Sequence, residues 1–239
     1  MHLVDFHSHV LPGVDHGSDS LACSMAQMSF AIKHGVSEIV ATPHFYPHRH
    51  DLDTFLRRRS RGYAALLDAL SQEYGDAAPH IHIGAEVLLC PGIENLEGLE
   101  QLCIDDTRVL LLELPFHSLN TDERATVVRL IKRGFTVLLA HVDRYQREDV
   151  EYLAAHGALM QLNAEAISRL FFPSHIASWI KEDRIVALGS DLHGEDERAY
   201  VRFLRAEKKL GAHLSLVDQQ SHALLLPASA AADARDTQI

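Results

Sequence analysis

The chain has 239 residues, 47% of them hydrophobic, and a formal net charge of -11. This is enough apolar material for a large core, and single α/β barrels commonly have this size. The acidic balance argues against broad binding to nucleic acid or to anionic membranes, because both need clustered lysine and arginine.

Short apolar runs alternate with helical patterns along the chain. Strands are predicted at residues 3–6, 38–41, 81–89, 109–112, 135–140, 158–162 and 185–188. Helices are predicted at residues 21–34, 52–74, 122–133, 150–156, 176–181 and about 195–210. Repeated βα units predict an α/β fold with a parallel sheet, and seven strands favour a closed or nearly closed TIM-like barrel.

The pattern predicts one catalytic domain over residues 1–211 and a C-terminal tail over residues 212–239. Beyond about Pro227 the sequence has too little apolar mass to pack against a core, so we expect the tail to be partly disordered.

The compartment is indicated by the cysteines and by the distribution of apolar residues. Cys23, Cys90 and Cys103 are scattered without a CxxC pair, which favours a reducing environment, and none has the arginine six residues later that thiol phosphatases use. No leader pattern and no apolar run of roughly 20 residues is present. We expect a soluble cytoplasmic protein without membrane insertion, whose oligomeric state the sequence leaves open.

Potential metal ligands follow nearly every predicted strand. His7 and His9 lie two positions apart at the end of the first strand, so both rings can share one face of it. Asp191 and His193 form a matching pair after the last strand. The remaining strand-end candidates are Asp15 and His16 in the first loop, His44, Glu86, Glu113 and His141.

Each of these residues alone would more often be an ordinary solvated side chain. Barrel active sites, however, lie at the carboxyl ends of the strands, where residues distant in sequence converge. Nine ligands, with Asp15 and His16 counted as alternatives for one position, are too many for one ion, so we expect two or three ions and predict three. Imidazole and carboxylate without thiolate favour zinc, manganese or iron over calcium or magnesium. Three carboxylates, those of Glu86, Glu113 and Asp191, cannot neutralise three divalent ions, so the site should attract an anion.

These motifs resemble those of the PHP (polymerase and histidinol phosphatase) superfamily, and within it the bacterial capsule-type, manganese-dependent protein-tyrosine phosphatases of exopolysaccharide operons. The matching stretches are residues 5–17, 41–44, 84–86, 112–113, 140–145 and 190–193. The resemblance implies a distorted seven-stranded barrel and three metal ions, with manganese the first choice and zinc or iron as alternatives. It carries the ligand roles onto His7, His9, His16, His44, Glu86, Glu113, His141, Asp191 and His193.

One loop departs from this family's pattern. The family usually has Asp-Asp-Gly where this chain has Asp15, His16 and Gly17. His16 is the predicted ligand, because other PHP branches place an imidazole near this position, and Asp15 is the alternative.

The resemblance also implies phosphate-binding roles for Arg144 and Arg198. The expected mechanism is in-line attack on phosphorus by a metal-bridging hydroxide, with both guanidinium groups clamping the phosphoryl oxygens. His193, His16 or a metal-bound water could supply a proton to the leaving group. The alternative for both arginines is a surface salt bridge, particularly for Arg198, which follows the acidic residues 195–197.

The predicted function is hydrolysis of protein tyrosine phosphate in the regulation of polysaccharide biosynthesis or export. The expected partner is a phosphotyrosyl protein, with a bacterial tyrosine autokinase as the candidate from the family context. The alternatives are a small-molecule phosphatase, such as one acting on histidinol phosphate, and a metal-binding regulatory module without turnover. Phosphodiester or exonuclease activity is disfavoured by the acidic charge.

Overall fold

Nine parallel β-strands form one curled sheet in the computed structural model, which describes residues 4–227. The order of the strands across the sheet is β3-β5-β6-β7-β8-β9-β1-β2-β4. Their bounds are β1 (Asp5–Ser8), β2 (Glu38–Ala41), β3 (His44–Phe45), β4 (His80–Ile83), β5 (Glu86–Leu88), β6 (Val109–Glu113), β7 (Thr136–Leu139), β8 (Leu159–Asn163) and β9 (Ile185–Gly189).

The predicted TIM-like arrangement is confirmed, but the predicted count of seven strands is wrong. The run at residues 81–89 is divided into β4 and β5, and β3 was missed because it has only two residues and follows Pro43, which has no N–H to donate. The register nevertheless continues across both interruptions, since Ala41 pairs with Ile83 and His44 with Glu86. β3, at one end of the strand order, follows β2 after two residues, and β4, at the other end, precedes β5 by two residues. The two ends of the sheet therefore lie close together, and the sheet curls.

Eight α-helices connect and cover these strands in the described part of the chain. They are α1 (Leu21–Lys33), α2 (Leu52–Tyr74), α3 (Thr121–Lys132), α4 (Arg147–Ala155), α5 (Ala164–Ser168), α6 (Ser174–Lys181), α7 (Arg198–Leu210) and α8 (Leu214–Leu224). The six predicted helices correspond to all of these except α5 and α8. Between residues 4 and 227 no helix combines the length and the apolar character that crossing a membrane requires.

Two apolar clusters form the core. The larger one joins the strands to the helices and includes the fully buried Trp179 and Tyr200. The smaller one is built mainly from strand residues, among them Phe6, Leu111 and Leu138. Burial of these side chains is the main favourable term for the fold, at about 25 cal/mol for each Å² of apolar surface removed from water.

The first part of the predicted C-terminal tail, residues 212–227, belongs to the part of the chain that the structure describes. This segment contains α8, whose Val217 and Ser221 are buried. Leu224 and Leu225 pack against the smaller apolar cluster, and therefore this helix contributes to the core. Residues 228–239, to which the expectation of disorder applies, lie outside the described residues.

Candidate metal centre

Eight of the nine predicted ligands converge at the carboxyl ends of the strands. The short connections between parallel strands and helices bring them there although they span most of the chain. The eight are His7 in β1 and His9 just after it, His44 in β3, Glu86 in β5, Glu113 in β6, His141 after β7, and Asp191 and His193 after β9.

The carboxylate of Glu86 lies at the centre of this cluster and is completely buried. Its Oε2 lies 3.3 Å from His7 Nε2, 3.4 Å from His9 Nε2 and 2.8 Å from His44 Nδ1. Its Oε1 lies 2.7 Å from His141 Nε2. One carboxylate therefore contacts four imidazoles, with a different oxygen serving His141.

Asp191 continues the cluster on the side of β9. Its Oδ1 lies 3.4 Å from His9 Nε2 and 3.8 Å from His7 Nε2, while the two imidazole nitrogens are 3.1 Å apart. Two donor atoms that each lie about 2.1 Å from one ion, at tetrahedral or octahedral angles, are separated by about 3.0–3.4 Å. The spacing of these donor atoms suits a shared cation.

The donor atoms divide into four overlapping groups among the described residues, each within 4.8 Å. The groups are His9, His44 and His193; His7, His9 and Asp191; His7, Glu86 and His141; and His44, Glu86 and Glu113. Three donor atoms in the groups, His44 Nδ1, Glu86 Oε2 and Glu113 Oε2, are buried without a well-aligned hydrogen bond between residues 4 and 227, although His44 Nδ1 and Glu86 Oε2 lie 2.8 Å apart. Such atoms are costly unless a cation satisfies them, so these residues fit a metal centre.

The pKa values of Glu86 and Glu113 also fit a bound cation. Burial and the neighbouring charge of Glu86 raise the pKa of Glu113 to about 7. Burial also acts to raise the pKa of Glu86, but His7 and the other imidazoles around it hold that pKa well below its usual range. A cation between the two carboxylates would relieve their repulsion, and its binding would displace protons from the cluster.

The loop with the unusual sequence places both Asp15 and His16 beside the cluster. His16 is exposed and lies outside the four groups, and its ring stacks 4.8 Å from that of His44 and lies 4.8 Å from that of His193. Asp15 Oδ2 accepts hydrogen bonds from His9 Nδ1 at 2.7 Å and from the backbone N–H of His44 at 2.9 Å. Asp15 therefore orients His9 so that Nε2 faces Glu86 and Asp191.

The two predicted phosphate-binding arginines lie in different surroundings. Arg144 Nη2 donates to Asp191 Oδ2, and its side chain is 40% exposed at the edge of the centre. Arg198 is exposed at the first residue of α7, and its guanidinium has no hydrogen bond or ion pair with any residue between 4 and 227. The structure thus brings Arg144 to the ligands but shows no contact between Arg198 and them.

His193, predicted both as a ligand and as a catalytic residue, is only partly buried. Its Nδ1 lies 3.0 Å from the backbone oxygen of Asp191. Burial and the positive charge of His9 lower the pKa of His193 to about 4. The neutral imidazole that results is the form that binds metal ions.

Sequence reasoning missed several residues that hold the ligands in place. Gln161 Oε1 accepts hydrogen bonds from His7 Nδ1 at 3.3 Å and from the backbone N–H of His141 at 2.6 Å. The Tyr145 hydroxyl lies 2.9 Å from His141 Nδ1, and Asn163 Nδ2 donates to Asp191 Oδ2 at 3.0 Å. Such partners fix the orientation of metal-binding side chains. Gln161 and Asn163 lie on β8, between two strands that are followed by candidate ligands, and Tyr145 follows the candidate ligand His141 by four positions. These places in the sequence are the signal that could have identified them.

Two of the candidate ligands have strained backbones. His141 has a φ of +32° and Asp191 a φ of +51°, in a region that side-chain-bearing residues rarely adopt. Strain of this kind persists only where surrounding contacts hold it, and it is common at functional sites. Close packing restricts Gly189 to glycine, because a Cβ there would lie 2.6 Å from His7 Cβ and 2.6 Å from Gln161 Nε2.

Comparison with known proteins identifies relatives of this chain. The chain is 24% identical to the tyrosine-protein phosphatase YwqE of Bacillus subtilis over 238 residues, covering 94% of this chain and 91% of that one. It is 25% identical to the tyrosine-protein phosphatase CpsB of Streptococcus pneumoniae, covering 82% and 85%.

A solved structure from work on YwqE and CpsB, described as unique metal-dependent tyrosine phosphatases, has a TM-score of 0.77 to this chain at 21% identity and covers 95% of both chains. The model of the family described as "Capsular polysaccharide synthesis, CpsB/CapC" matches residues 3–212. These matches confirm the resemblance seen in the motifs, and the chain belongs to the CpsB/CapC family of capsular polysaccharide synthesis proteins.

Proposed function

We propose that this protein is a metal-dependent phosphatase that hydrolyses tyrosine phosphate in proteins and acts in polysaccharide synthesis. The observation that carries the proposal is the cluster of four overlapping donor groups, with Arg144 placed on Asp191 at its edge. Membership of the family and the names of the relatives YwqE and CpsB support the same activity.

Three metal ions are the proposed complement of the centre. The residues that would hold them are His7, His9, His44, Glu86, Glu113, His141, Asp191 and His193. The donor set of imidazole and carboxylate suits manganese, zinc or iron, and manganese is the choice that the family resemblance favours. When bound, the ions supply Lewis acidity, which activates water at neutral pH and offsets charge on the phosphoryl group.

Arg144 is the proposed residue for binding the phosphoryl oxygens. Its contact with Asp191 holds the guanidinium beside the centre, while its partial exposure leaves N–H groups free to face a substrate. A planar guanidinium can donate two parallel hydrogen bonds to a phosphate, which a lysine cannot. Arg198 at the start of α7 is proposed as the second binding group, on the family resemblance alone.

The leaving group of phosphotyrosine makes modest demands on the protein. A phenol has a pKa of about 10, so the phenolate departs with little help from an acid. His193, the most exposed of the eight candidate ligands, is proposed as a ligand and, in its protonated form, as a proton donor. Because its pKa is lowered to about 4, that form is scarce at neutral pH, and this suits a leaving group that needs little protonation.

The proposed substrate is a phosphotyrosyl protein, with a bacterial tyrosine autokinase as the candidate from the family resemblance. We place the reaction in the cytoplasm, because Cys23, Cys90 and Cys103 are all free thiols, as expected in a reducing compartment.

Substrate competition tests the proposal. The full chain is loaded with Mn²⁺, and kcat/KM is measured on a phosphotyrosyl peptide, the matching phosphoseryl peptide and histidinol phosphate. We expect the phosphotyrosyl peptide to be preferred by at least about tenfold, with activity lost on chelation and restored by Mn²⁺. Preference for histidinol phosphate would instead identify a small-molecule phosphatase. Bound metal without turnover of any phosphate ester would identify a regulatory module.

A further inference from the structure

The three most exposed large apolar side chains of the described chain lie on two loops, one directly after β6 and one between α5 and α6. Phe116, in the loop after β6, is 76% exposed. Leu170 and Phe171, in the loop at residues 169–173 between α5 and α6, are 81% and 84% exposed. We call these three residues the apolar rim. Exposed apolar side chains beside a polar site often mark an interaction surface.

A cavity of about 290 Å³ connects the loop at residues 169–173 to the candidate centre. Its wall is half polar and half apolar. The polar residues are Asp143, Arg144, Asn163, Glu165 and Arg169, and the apolar ones are Ala166, Phe171, Phe172, Pro173 and Ile176. Arg144 and Asn163 both donate to Asp191 Oδ2. The apolar part of the wall therefore shares one cavity with the group that we propose binds phosphate.

Phe116 lies near the residue that follows Arg144. Its ring lies 6.4 Å from the ring of Tyr145, which contacts His141. Phe171 lines the same cavity as Arg144. A chain bound with its phosphate at Arg144 would therefore have exposed aromatic side chains within reach.

Contacts beneath the loop hold its backbone while its apolar side chains stay in solvent. Lys209 donates to the backbone oxygen of Arg169 and lies 5.4 Å from the centre of the Phe172 ring. Arg169 pairs with Glu165 at 2.8 Å. A loop held in this way presents Leu170 and Phe171 without first having to be ordered by a ligand, which lowers the entropic cost of binding.

The size of the cavity suits a single side chain. Pockets for complete small molecules have volumes of about 300–1,000 Å³, so this one lies just below that range. Successive residues of an extended peptide are about 3.4 Å apart, and therefore a residue one or two positions from the phosphotyrosine can reach the cavity while the phosphate lies at Arg144.

We propose that the apolar rim and the cavity beside it bind the substrate polypeptide, with the cavity taking a large apolar side chain one or two positions from the phosphotyrosine. This inference rests on the proposed function and adds a substrate preference to it. The occupant is a segment of the substrate, because the cavity shares Arg144 and Asn163 with the site where the phosphate would lie.

The test uses the double variant Leu170→Ser/Phe171→Ser of the full, Mn²⁺-loaded chain. Substrates are 4-nitrophenyl phosphate and two phosphotyrosyl peptides that differ only in having leucine or serine at the positions flanking the phosphotyrosine. The control is Leu67→Ser, an exposed leucine on α2. We expect the double variant to lose roughly tenfold in kcat/KM on the leucine peptide, mainly through KM, and to keep wild-type rates on 4-nitrophenyl phosphate.

Three outcomes would overturn the inference. The first is a wild-type enzyme that is active on 4-nitrophenyl phosphate but does not distinguish the two peptides. The second is a double variant that discriminates between them as the wild type does. The third is a change in oligomeric state of the double variant by light scattering, which would make the rim an interface between copies. Inactivity of the wild type on all three substrates would overturn the proposed function itself, and so the two failures are distinguishable.

Discussion

The backbone N–H of His141 donates a 2.6 Å hydrogen bond to the side-chain oxygen of Gln161. The same oxygen accepts from His7 Nδ1, which leaves His7 Nε2 facing Glu86. Because His141 has a left-handed backbone, this bond also stabilises a conformation that the residue would not otherwise favour. A neutral glutamine on β8 thus positions candidate ligands from two other parts of the sheet.

Replacement of this glutamine should loosen metal binding without removing a ligand. We expect Gln161→Leu to weaken metal affinity by about 10–100-fold, as is usual when an outer partner of a ligand is lost. It should also destabilise the fold by about 1–3 kcal/mol, because the His141 N–H is left buried and unpaired. Chelator competition and urea unfolding measure the two effects.

The control for this variant is Thr107→Val, which replaces a buried hydroxyl that donates to Ile104 O by a methyl group. This change should cost stability and leave metal affinity unchanged. Equal metal affinity in Gln161→Leu and the wild type would contradict the positioning role.

Glu86 should be the carboxylate whose loss damages the centre most, since its oxygens contact four imidazoles. We expect Glu86→Gln to lower kcat by at least about 100-fold. It should also reduce the bound metal, measured by elemental analysis, by more than Gln161→Leu does. Glu94→Gln changes another buried glutamate, which pairs with Arg129, and should retain both metal and activity. Wild-type metal content and rate in Glu86→Gln would contradict its central place.

The loop residues Asp15 and His16 can be separated by two substitutions. Asp15→Asn weakens the acceptor that orients His9, so we expect about 10–100-fold weaker metal binding. His16→Ala should have a smaller effect, because the His16 ring lies outside the four donor groups. Metal titration of both variants decides between them. A larger loss in His16→Ala would support the sequence-based prediction that His16 is a ligand.

Substitution of the two proposed phosphate-binding arginines should cause a kinetic defect without loss of metal. We expect Arg144→Ala to lower kcat/KM on a phosphotyrosyl peptide by about 100-fold, and Arg144→Lys to recover little of it. Arg198→Ala should cause a smaller loss, seen mainly in KM, because its side chain has no contact with the centre. Full kcat/KM with metal retained would exclude either residue from phosphate binding.

The free energy of unfolding should depend on pH through His82, which lies on β4 and is not one of the eight candidate ligands. His82 Nδ1 lies 2.6 Å from Asp105 Oδ2 and Nε2 lies 3.5 Å from Glu38 Oε2. Burial acts to lower the pKa of His82, but these carboxylates outweigh it, so the pKa lies above its ordinary value of 6.5. The stabilisation is complete below about pH 6.5 and is lost as pH rises through the raised pKa.

The measurement compares urea unfolding of the wild type and His82→Gln at about pH 6 and about pH 9. We expect the wild type to exceed the variant in stability by more at the lower pH. The control is His156→Gln at the exposed end of α4, where the imidazole contacts the backbone oxygen of Tyr152 and pairs with no carboxylate between residues 4 and 227. An equal difference at both pH values would contradict the assignment.

Much of the centre could be predicted from the sequence because its signals are local. His7 and His9 share a face through strand alternation alone, and carboxylates or imidazoles directly after apolar runs predict the edge at which parallel strands end. Helices such as α2 and α3 were predictable for the same reason, since caps and periodicity act within one element.

Other features depend on contacts between distant segments. The two-residue β3 exists because Glu86 and Val87 of β5 pair with it. Helix α8 was missed because its stability comes from Leu224 and Leu225 packing on strand residues, not from a pattern of its own. Gln161 and Tyr145 are neutral residues whose importance arises only from their neighbours.

The sequence by itself determined the type of centre, because the kinds of donor group and their places at strand ends are written in single, short motifs. Only the tertiary structure decided which oxygen of Glu86 faces which imidazole, that Asp15 points to His9, and that Arg144 reaches Asp191 while Arg198 stays apart. The physical reason is that these distances depend on the register of strands far apart in the chain and on backbone conformations, at His141 and Asp191, that only surrounding contacts can hold.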